Sequence, residues 1–367
     1  MDKYIMAACD AHDETLVLKI AEGRSKAETR TVENTARGRR EMARQLRQRA
    51  RRAGGAKVIL AYEASGQGFG LHDEMREAGF ECHVLAPTKI ARSSQHRRRK
   101  TDARDAERIL EILRGHVLAG NELPSVWAPD RKTRDDREIV RSRMDLSEKA
   151  AAIKAQVRAL LKRQGQRRAK GASTGWTRAF EARLRGLIRP NGALPHGAAA
   201  ALASLLRQKA ALEEEIARLD EEVEALAQTG RYAEPARALT TVKGVGLLTA
   251  MLFLAEMGDL SRFSSRKAIG AYLGLVPASD ESGPVSDRKG HITHQGPWRA
   301  RRALCQAVWA RVRTDPEEKL VYERIVRRNP KHKKIAVVAA MRRLAVRLWH
   351  IGRIEQQRHG CFATKAA

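Results

Sequence analysis

The sequence lacks long apolar runs, clustered cysteines and a leader-like start, and each lack excludes a class of protein. No apolar stretch approaches the roughly 18 residues of a membrane-spanning helix, which argues against a protein with helices that cross a membrane. The opening segment Met1–Met6 runs straight into strand-like sequence, without the basic and apolar regions of a secretory signal. The cysteines form no zinc or disulfide pattern and fit a reducing cytoplasm; they are Cys9, Cys82, Cys305 and Cys361.

Aromatic residues are also scarce, at 4% of the chain, which argues against stacking of single-stranded bases as the main mode of binding. Positive charge is abundant instead. The 367 residues carry a formal net charge of +28, from 71 Lys and Arg against 43 Asp and Glu. We therefore expect contact with a phosphate backbone, which is sensitive to salt and discriminates little between sequences. Specificity must come from another source.

The first 115 or so residues predict a mixed α/β unit. Three strands, a helix, a strand, a helix, a strand and a helix follow in that order. This is the order of an RNase H-like fold, although composition alone does not distinguish it from other α/β arrangements. The predicted strands are Tyr4–Cys9, Thr15–Ile20, Arg30–Val32, Lys57–Ala61 and Cys82–Leu85, and the predicted helices are Glu41–Arg52, Leu71–Ala78 and one from Thr101.

Two middle segments place apolar residues at alternating three- and four-residue steps, interrupted once by Arg143 and once by Lys209. Dense charge between the apolar positions is typical of a coiled-coil seam, whereas two ordinary amphipathic helices on a core would show the same spacing. Between them, Gln164–Ala200 predicts a basic loop or insertion. The seam positions are Ile139, Leu146, Ala150, Ile153, Val157 and Leu160, then Leu205, Leu212, Ile216, Leu219, Val223 and Leu226.

The third unit begins near Pro235, where a glycine turn leads into the apolar helix Leu247–Met257. Such a turn exposes backbone N–H groups that can bind phosphate, as in a helix-hairpin-helix contact with DNA. A short Gly-x-Gly can also serve only to pack helices. The end of the chain, Trp298–Ile351, is basic and predicts helices. The candidate nucleic-acid contacts of the turn are Lys243, Gly244 and Gly246.

Four carboxylates point to a metal site. In Arg97–Leu110 a basic run precedes Asp102 and Asp105, whose spacing places both on one face of a helix. Asp10 ends the first strand and Glu63 follows the fourth, and neighbouring strands would bring both to one edge of the sheet. Such acids repel one another unless a cation neutralises them, and hard oxygen ligands suit Mg²⁺. The alternative for the helical pair is a solvated helix start, where aspartate is favoured by the helix dipole.

A family resemblance rests on these acids and on motifs of the third unit. Asp10, Glu63 with Ala-Ser-Gly, and Lys100–Ala106 resemble the signature of the DEDD insertion-sequence transposases. The matching C-terminal motifs are Val242–Ala250, Glu256–Asp259, Arg262 with Phe263, Ala271–Pro277, Ser282 with Gly283, Gly290–Thr293 and Gly296. The sequence departs from the family at Ala-His-Asp after Asp10 and at Ile-Thr-His-Gln-Gly-Pro from residue 292.

The resemblance implies a recombinase of a mobile element in the prokaryotic cytoplasm, associated with the nucleoid. It implies a RuvC-like domain over residues 1–138, a coiled-coil segment with a basic loop over 139–232, and a mainly helical transposase domain over 233–367. One or two Mg²⁺ ions, or Mn²⁺ in their place, would bind Asp10, Glu63, Asp102 and Asp105. Ser282 would cut DNA through a covalent 5′-phosphoserine link, and a structured noncoding bridge RNA would supply specificity.

Double-stranded DNA at the element ends and the target is the expected substrate. Recombination joins two DNA partners, so we expect a dimer or tetramer, with the two seams as candidate contacts. The remaining candidate phosphate contacts are Arg97, Arg98, Arg99, Lys100, Arg288, Lys289, Arg299 and Arg302. Two other functions compete with the recombinase. One is a Holliday-junction-resolvase-like endonuclease without a covalent step, and the other is a basic architectural protein with a vestigial metal site.

Overall fold

The computed structural model describes residues 4–90, 102–167, 175–279, 289–328, 330 and 333–362. The chain divides into two compact units, Met1–Pro129 and Asp130–Ala367. Among the described residues, none of the helices combines the length and the apolar character that crossing a bilayer would require.

A five-stranded mixed sheet forms the centre of the first unit. Its strands are β1 (Tyr4–Ala11), β2 (Thr15–Glu22), β3 (Glu28–Glu33), β4 (Lys57–Glu63) and β5 (Glu81–Leu85). The order across the sheet is β3-β2-β1-β4-β5. The first three strands are antiparallel, whereas β4 and β5 run parallel to β1. The predicted strands are therefore confirmed, and β1 and β4 are neighbours.

Helices cover both faces of this sheet: α1 (Ala36–Arg52) and α2 (Gly70–Glu77) on one face, and α3 (Asp102–Ala119) on the other. The run Ile5–Cys9 is fully buried because the sheet is covered on both sides, which explains its continuous apolar sequence. Side chains that alternate along β1 and β4 enter the two cores in turn. The mixed α/β character predicted for this unit is confirmed.

The second unit begins with two long antiparallel helices, α4 (Arg131–Arg163) and α6 (His196–Ala227). Their direction follows from two ion pairs: Arg143 Nε lies 2.6 Å from Asp220 Oδ1, and Lys154 Nζ lies 4.0 Å from Glu213 Oε1. The two predicted seams thus belong to helices that pack against each other within one chain. Supercoiling of the pair, and contacts between copies, remain predictions.

The first seam is shifted by one residue over its N-terminal half. Val140 and Met144 are buried there, whereas Ile139 and Leu146 are half-buried. The second interruption, Lys209, is buried because its ammonium lies 2.8 Å from Glu181 and 2.6 Å from Glu213. Both basic residues that break the apolar spacing therefore have acidic partners on the same unit.

The prediction of a loop over Gln164–Ala200 was wrong in part. Helix α5 (Arg178–Leu187) lies inside this range, and α6 already begins at His196. Leu184 and Leu187 pack with apolar residues of α4 and α6, so burial stabilises this short helix despite its basic sequence. Thr177 caps it, and its hydroxyl accepts a hydrogen bond from the Phe180 N–H at 3.2 Å.

The rest of the second unit is mainly helical, with one short antiparallel hairpin, and shares a single large core. The helix predicted over 247–257 is present, and its residues Ala250–Met257 are buried, Glu256 among them. These elements are α7 (Ala233–Thr240), α8 (Leu247–Met257), α9 (Arg266–Tyr272), β6 (Pro277–Ser279), β7 (Lys289–Ile292), α10 (Trp298–Thr314), α11 (Pro316–Arg328) and α12 (Lys333–Arg358).

A buried carboxylate joins α4 to this core. Glu256 is 2% exposed, and Arg141 binds both of its oxygens, at 2.7 and 2.8 Å. Arg137 donates to the backbone carbonyls of Ala255 at 2.7 Å and Glu256 at 2.9 Å. The two arginines thus satisfy both the side chain and the last carbonyls of α8.

Replacing Glu256 by Ala would leave these arginines facing a buried site without a counter-charge. We expect the free energy of unfolding to fall by about 3–5 kcal/mol, as for other buried pairs that lose one partner. Urea unfolding followed by circular dichroism measures this. Glu138→Ala is the matched control, because the Glu138 side chain is 73% exposed and 3.8 Å from Arg141, and it should change stability by about 0.5 kcal/mol or less. Equal losses for both variants would contradict the assignment.

The turn before α8 requires glycine at one position only. Gly244 has φ +79°, and a Cβ there would lie 2.9 Å from the Ala307 carbonyl oxygen and 2.7 Å from Arg311 Cγ. Gly246 has φ −85°, and a Cβ there would meet nothing within 4 Å. The turn therefore packs closely on α10 through Gly244 and leaves Gly246 open.

We expect Gly244→Ala to destabilise the protein by about 1–3 kcal/mol, from the left-handed backbone and the close carbonyl. Gly246→Ala should cost about 1 kcal/mol or less, since it changes only the cap of α8. Thermal unfolding of the two variants beside the wild type checks the difference. A larger loss for Gly246→Ala would show that the turn is held in another way.

Candidate active site

Strand pairing brings Asp10 and Glu63 to one edge of the first unit's sheet. Cys9 pairs with Tyr62 in the parallel β1–β4 ladder, and Asp10 and Glu63 each follow by one residue. Because side chains alternate along a strand, both acids lie on the face of Met6, Ala8, Ile59 and Ala61. That is the face covered by α3.

Helix α3 carries the other two predicted acids over this face. Its buried stripe begins at Ala106 and continues through Ile109, Leu110 and Leu113. Asp102 and Asp105 lie one turn before that stripe, so the packing of α3 on the sheet directs them toward the edge where β1 ends. Asp102 is exposed and Asp105 is half-buried.

A histidine that the sequence reasoning did not select lies between two of these acids. His12 Nε2 is 3.2 Å from Asp10 Oδ2 and 3.3 Å from Asp102 Oδ1. One ligand atom from each of the three residues lies within 4.8 Å of the other two. His12 stands at one of the positions where the sequence departs from the family pattern. That departure, two residues after a candidate ligand, was the available signal.

The turn after β1 fixes His12 through a set of amide contacts. The Asn34 amide donates to the His12 carbonyl oxygen at 2.7 Å and to Gln67 Oε1 at 3.1 Å. The Gln67 amide in turn donates to Asp13 Oδ1 at 3.2 Å. Asp13, three residues after Asp10, therefore stabilises this turn. The structure assigns the two neighbouring aspartates to different surroundings.

The electrostatic surroundings of Asp10 favour a bound cation. Burial raises the pKa of the Asp10 carboxyl above its usual value, and the nearby His12 lowers it, while the charges of Asp105 and Asp102 raise it again. The net direction is upward, so the ionised form is disfavoured in the folded protein. A divalent ion among these oxygens would relieve the burial cost and the repulsion together. The donor set of carboxylates suits Mg²⁺ and Mn²⁺, and the imidazole adds a ligand that Mn²⁺ accepts more readily.

Several predicted residues lie outside the part of the chain that the structure describes. They are the basic residues before α3 and two residues of the segment between β6 and β7, namely Arg97, Arg98, Arg99, Lys100, Ser282 and Arg288.

The glycine turn of the second unit is held from behind by an arginine. Arg311 Nη1 donates to the Lys243 carbonyl oxygen at 2.9 Å, and Arg311 Nη2 binds Glu318 Oε2 at 2.9 Å. Lys243, Gly244 and Gly246 are themselves exposed. Gly246 caps α8 without a side-chain partner, so no capping side chain satisfies the first backbone N–H groups of α8. This geometry is compatible with phosphate contact and equally with packing on α10.

Two predicted phosphate contacts on α10 are engaged with acids of α4. Arg299 binds both oxygens of Asp145, at 2.8 and 2.7 Å, and Arg302 pairs with Glu148. Lys289 begins β7 and pairs with Ser279 of β6. A role of these three residues in binding nucleic acid remains a prediction.

Comparison with known proteins matches both ends of the chain. Residues 7–164 match a model of DEDD transposases of the IS110 kind, described as "Transposase", and residues 236–323 match "Transposase IS116/IS110/IS902 family". The first range contains Asp10, Glu63, Asp102 and Asp105. The second contains Glu256 and the glycine turn.

Relatives in several bacteria agree with these matches. The chain is 32% identical over 252 residues to "Putative transposase y4qE" of Sinorhizobium fredii, a match that spans 69% of this chain and 58% of that protein. It is 28% identical over 307 residues to "Putative transposase y4rJ" of the same organism, over 80% of this chain and 76% of the relative. The "Transposase for insertion sequence element IS1111A" of Coxiella burnetii is 26% identical over 202 residues, which cover 54% of this chain and 52% of the relative. The order of the two matched models, the acids at one sheet edge and these relatives together place the chain in the family of DEDD-type insertion-sequence transposases.

Proposed function

We propose that this protein is the transposase of an insertion sequence and that it cuts and rejoins double-stranded DNA. The observation that carries the proposal is the convergence of Asp10, His12 and Asp102, with Glu63 and Asp105 on the same face of the sheet. The strand order β3-β2-β1-β4-β5 supports an RNase H-like, RuvC-related first domain. The divisions 1–138, 139–232 and 233–367 are proposed as the catalytic, helical and transposase segments.

In this proposal the four acids hold one or two Mg²⁺ ions. Bound there, Mg²⁺ supplies charge neutralisation and polarisation of the scissile phosphodiester. The protein's own part is to hold the acids in place. Packing of α3 on the sheet sets Asp102 and Asp105, and the β1–β4 ladder sets Asp10 and Glu63. His12 orients Asp10 and Asp102 toward one another, so that the site is formed before DNA arrives.

Ser282 is proposed as the nucleophile, on the family resemblance. Its Oγ would attack the phosphorus of the scissile phosphodiester, forming an Oγ–P bond while the bond from phosphorus to the 3′ oxygen breaks. The serine proton passes to that 3′ oxygen, which leaves as a hydroxyl, and the DNA 5′ end stays on Ser282. A 3′-hydroxyl of the second DNA then attacks the phosphoserine, which restores the serine and joins the strands. One phosphodiester is exchanged for another at each step, so no energy-rich co-reactant is required.

Guidance by RNA would supply the specificity that backbone contacts lack. The net charge of +28 suits a protein that binds polyanions, and a structured RNA beside the DNA would be one of them. A bridge RNA from the element would pair with both DNAs, and the protein would recognise duplex shape and backbone. A dimer or tetramer would hold the two DNA partners. The complex would act at the nucleoid of a prokaryotic cell.

The metal site predicts a stability difference that does not depend on activity. Asp10 has a raised pKa in the folded state, so without metal the stability falls as the pH rises from the usual aspartate pKa of about 3.9 through the folded pKa. Asp10→Asn should therefore be at least as stable as the wild type in EDTA. Mg²⁺ at a hundred times its Kd should stabilise the wild type by about 2.7 kcal/mol, and Asp10→Asn and Asp102→Asn should lose most of that gain.

Thermal unfolding with EDTA and then with Mg²⁺ or Mn²⁺ measures these differences. Asp13→Asn is the control, because Asp13 contacts Gln67 and should keep the metal response. The same two site variants should cut DNA at least about a hundredfold more slowly. An unchanged metal response in Asp10→Asn would contradict the site, and retained cleavage in both variants would show that these acids are not catalytic. Binding of DNA without cleavage by the wild type would leave only an architectural binder.

If Ser282 is the nucleophile, the protein forms a covalent adduct with DNA, and substitution of Ser282 abolishes that adduct. Incubation of wild-type protein with element DNA that carries a label at its 3′ end should yield a labelled protein–DNA adduct that survives denaturation, because the fragment that lies 3′ of the cut keeps its 5′ phosphate on the serine. Ser282→Ala should form no adduct and still bind DNA with about the wild-type affinity, whereas Ser279→Ala should keep the adduct. An adduct on Ser282→Ala would refute the nucleophile. Cleavage by Ser282→Ala without an adduct would instead indicate hydrolysis by a resolvase-like enzyme.

A further inference from the structure

A second group of metal-ligating side chains lies in the first unit, apart from the four acids. Glu81 and His83 stand two residues apart on the edge strand β5, so both point to one face of the sheet. His116 is on α3, three residues after Leu113, which belongs to the buried stripe on that same face. One ligand atom from each of the three lies within 4.8 Å of the other two.

The three side chains are partly buried and already close. His83 Nε2 lies 2.8 Å from Glu81 Oε1, and the rings of His83 and His116 are 5.9 Å apart between centroids, nearly perpendicular at 73°. Side-chain exposure is 26% for Glu81 and 23% for His83. Two imidazoles and a carboxylate meeting in a half-buried place have fewer conformations to lose on binding an ion than they would at an open surface.

His116 is oriented in the way that a ligating histidine requires. Its Nδ1 lies 2.6 Å from the carbonyl oxygen of Asn121, which can only accept, so Nδ1 carries the proton and donates. The neutral ring then has its lone pair on Nε2. A backbone carbonyl that fixes the tautomer of a metal-binding histidine is the usual supporting contact at such sites. Asn121 is itself held, since its N–H donates to the Gly115 carbonyl at 3.1 Å.

Glu81 can offer its Oε1 atom to a cation, because Lys57 binds the other oxygen. Lys57 Nζ lies 2.5 Å from Glu81 Oε2, while Oε1 faces His83. The lysine balances part of the carboxylate charge and orients the group along the sheet edge. A cation at Oε1 would take the place of the proton shared between His83 and Glu81.

We propose that Glu81, His83 and His116 bind a Zn²⁺ ion, or a related borderline divalent ion, with water as the fourth ligand. Two nitrogen donors and one oxygen donor match zinc and not magnesium. Four ligands at about 2.0–2.1 Å from zinc lie about 3.3 Å from each other, so the observed spacing needs only small side-chain shifts. The ion would join the edge strand β5 to the C-terminal half of α3, the helix that carries Asp102 and Asp105 at its other end. Its role is structural, and it acts on the acids only by fixing α3.

The test uses the full-length protein, freed of metal by EDTA and dialysed, with excess Mg²⁺ present to occupy the acid site. Competition with a chromophoric chelator measures the Zn²⁺ stoichiometry and Kd. We expect one tight equivalent in the wild type, and His83→Ala and His116→Ala should each weaken it by at least about tenfold. His196→Ala, which removes an exposed histidine at the start of α6, and Asp10→Asn should keep it.

The proposal would be overturned if Asp10→Asn weakened the binding of Zn²⁺ and the two histidine variants did not. It would also be overturned if the wild-type Kd for Zn²⁺ equalled that of the doubly substituted His83→Ala, His116→Ala protein. Co²⁺ bound to the wild type gives a check that needs no variant. Four-coordinate Co²⁺ absorbs strongly in the visible range, whereas six-coordinate Co²⁺ does not, and a weak spectrum would refute the site. The outcome is separable from the proposed transposase activity, because the acid-site response to Mg²⁺ is measured in the same proteins.

Discussion

The parallel pairing of β1 with β4 is the constraint on which the candidate active site depends. It joins residues separated by more than fifty positions in sequence and sets them in register, with Cys9 opposite Tyr62. Since side chains alternate, this one register decides that Asp10 and Glu63 share a face, and a slip of one residue would send one of them to the opposite core. The fully buried run on β1 makes such a slip costly, because it would exchange the residues that fill the two cores, Ile5 and Ala7 on one face with Met6 and Ala8 on the other. Hydrophobic burial thus fixes the geometry of the acids.

The same burial makes the negative charges at the edge of the sheet unfavourable. Asp10 follows a fully buried strand and is disfavoured as an ion, yet its neighbours Asp102 and Asp105 bring further negative charge. His12 offsets part of this, and a metal would offset the rest. A charged group at the margin of an apolar core destabilises the fold unless a group of opposite charge binds beside it. A bound cation relieves this destabilisation, so the site can bind a cation strongly. The cost is local, and the layers of helix and sheet around it supply the stability.

The sequence predicts those strands and helices whose buried residues recur with the period of the element itself. The strands of the first unit, the helix over 247–257 and the two long middle helices were found because their apolar residues recur at the period of the element. It misplaced the seam near Ile139 because buried Val140 and Met144 face the C-terminal core, which spacing along α4 alone cannot reveal. It took Gln164–Ala200 for a loop because the burial of α5 depends on helices before and after it. His116 was missed for a related reason, because its partners on β5 are distant in sequence. His12 lies only two residues after Asp10, but its second partner, Asp102, comes near it only through the packing of α3.

The large positive charge is not freely available to nucleic acid, and this bears on how the second unit would bind it. Arg299 and Arg302 already pair with Asp145 and Glu148, and Arg141 is held by the buried Glu256. These pairs differ in kind. Ion pairs as accessible as those of α10 contribute about 0–1 kcal/mol, so a phosphate can displace the carboxylate at little cost. A buried pair such as that of Glu256 loses several kcal/mol when broken. The arginines of α10 can therefore exchange an internal partner for DNA or RNA, whereas Arg141 must stay in the fold, although all of them look alike in the sequence.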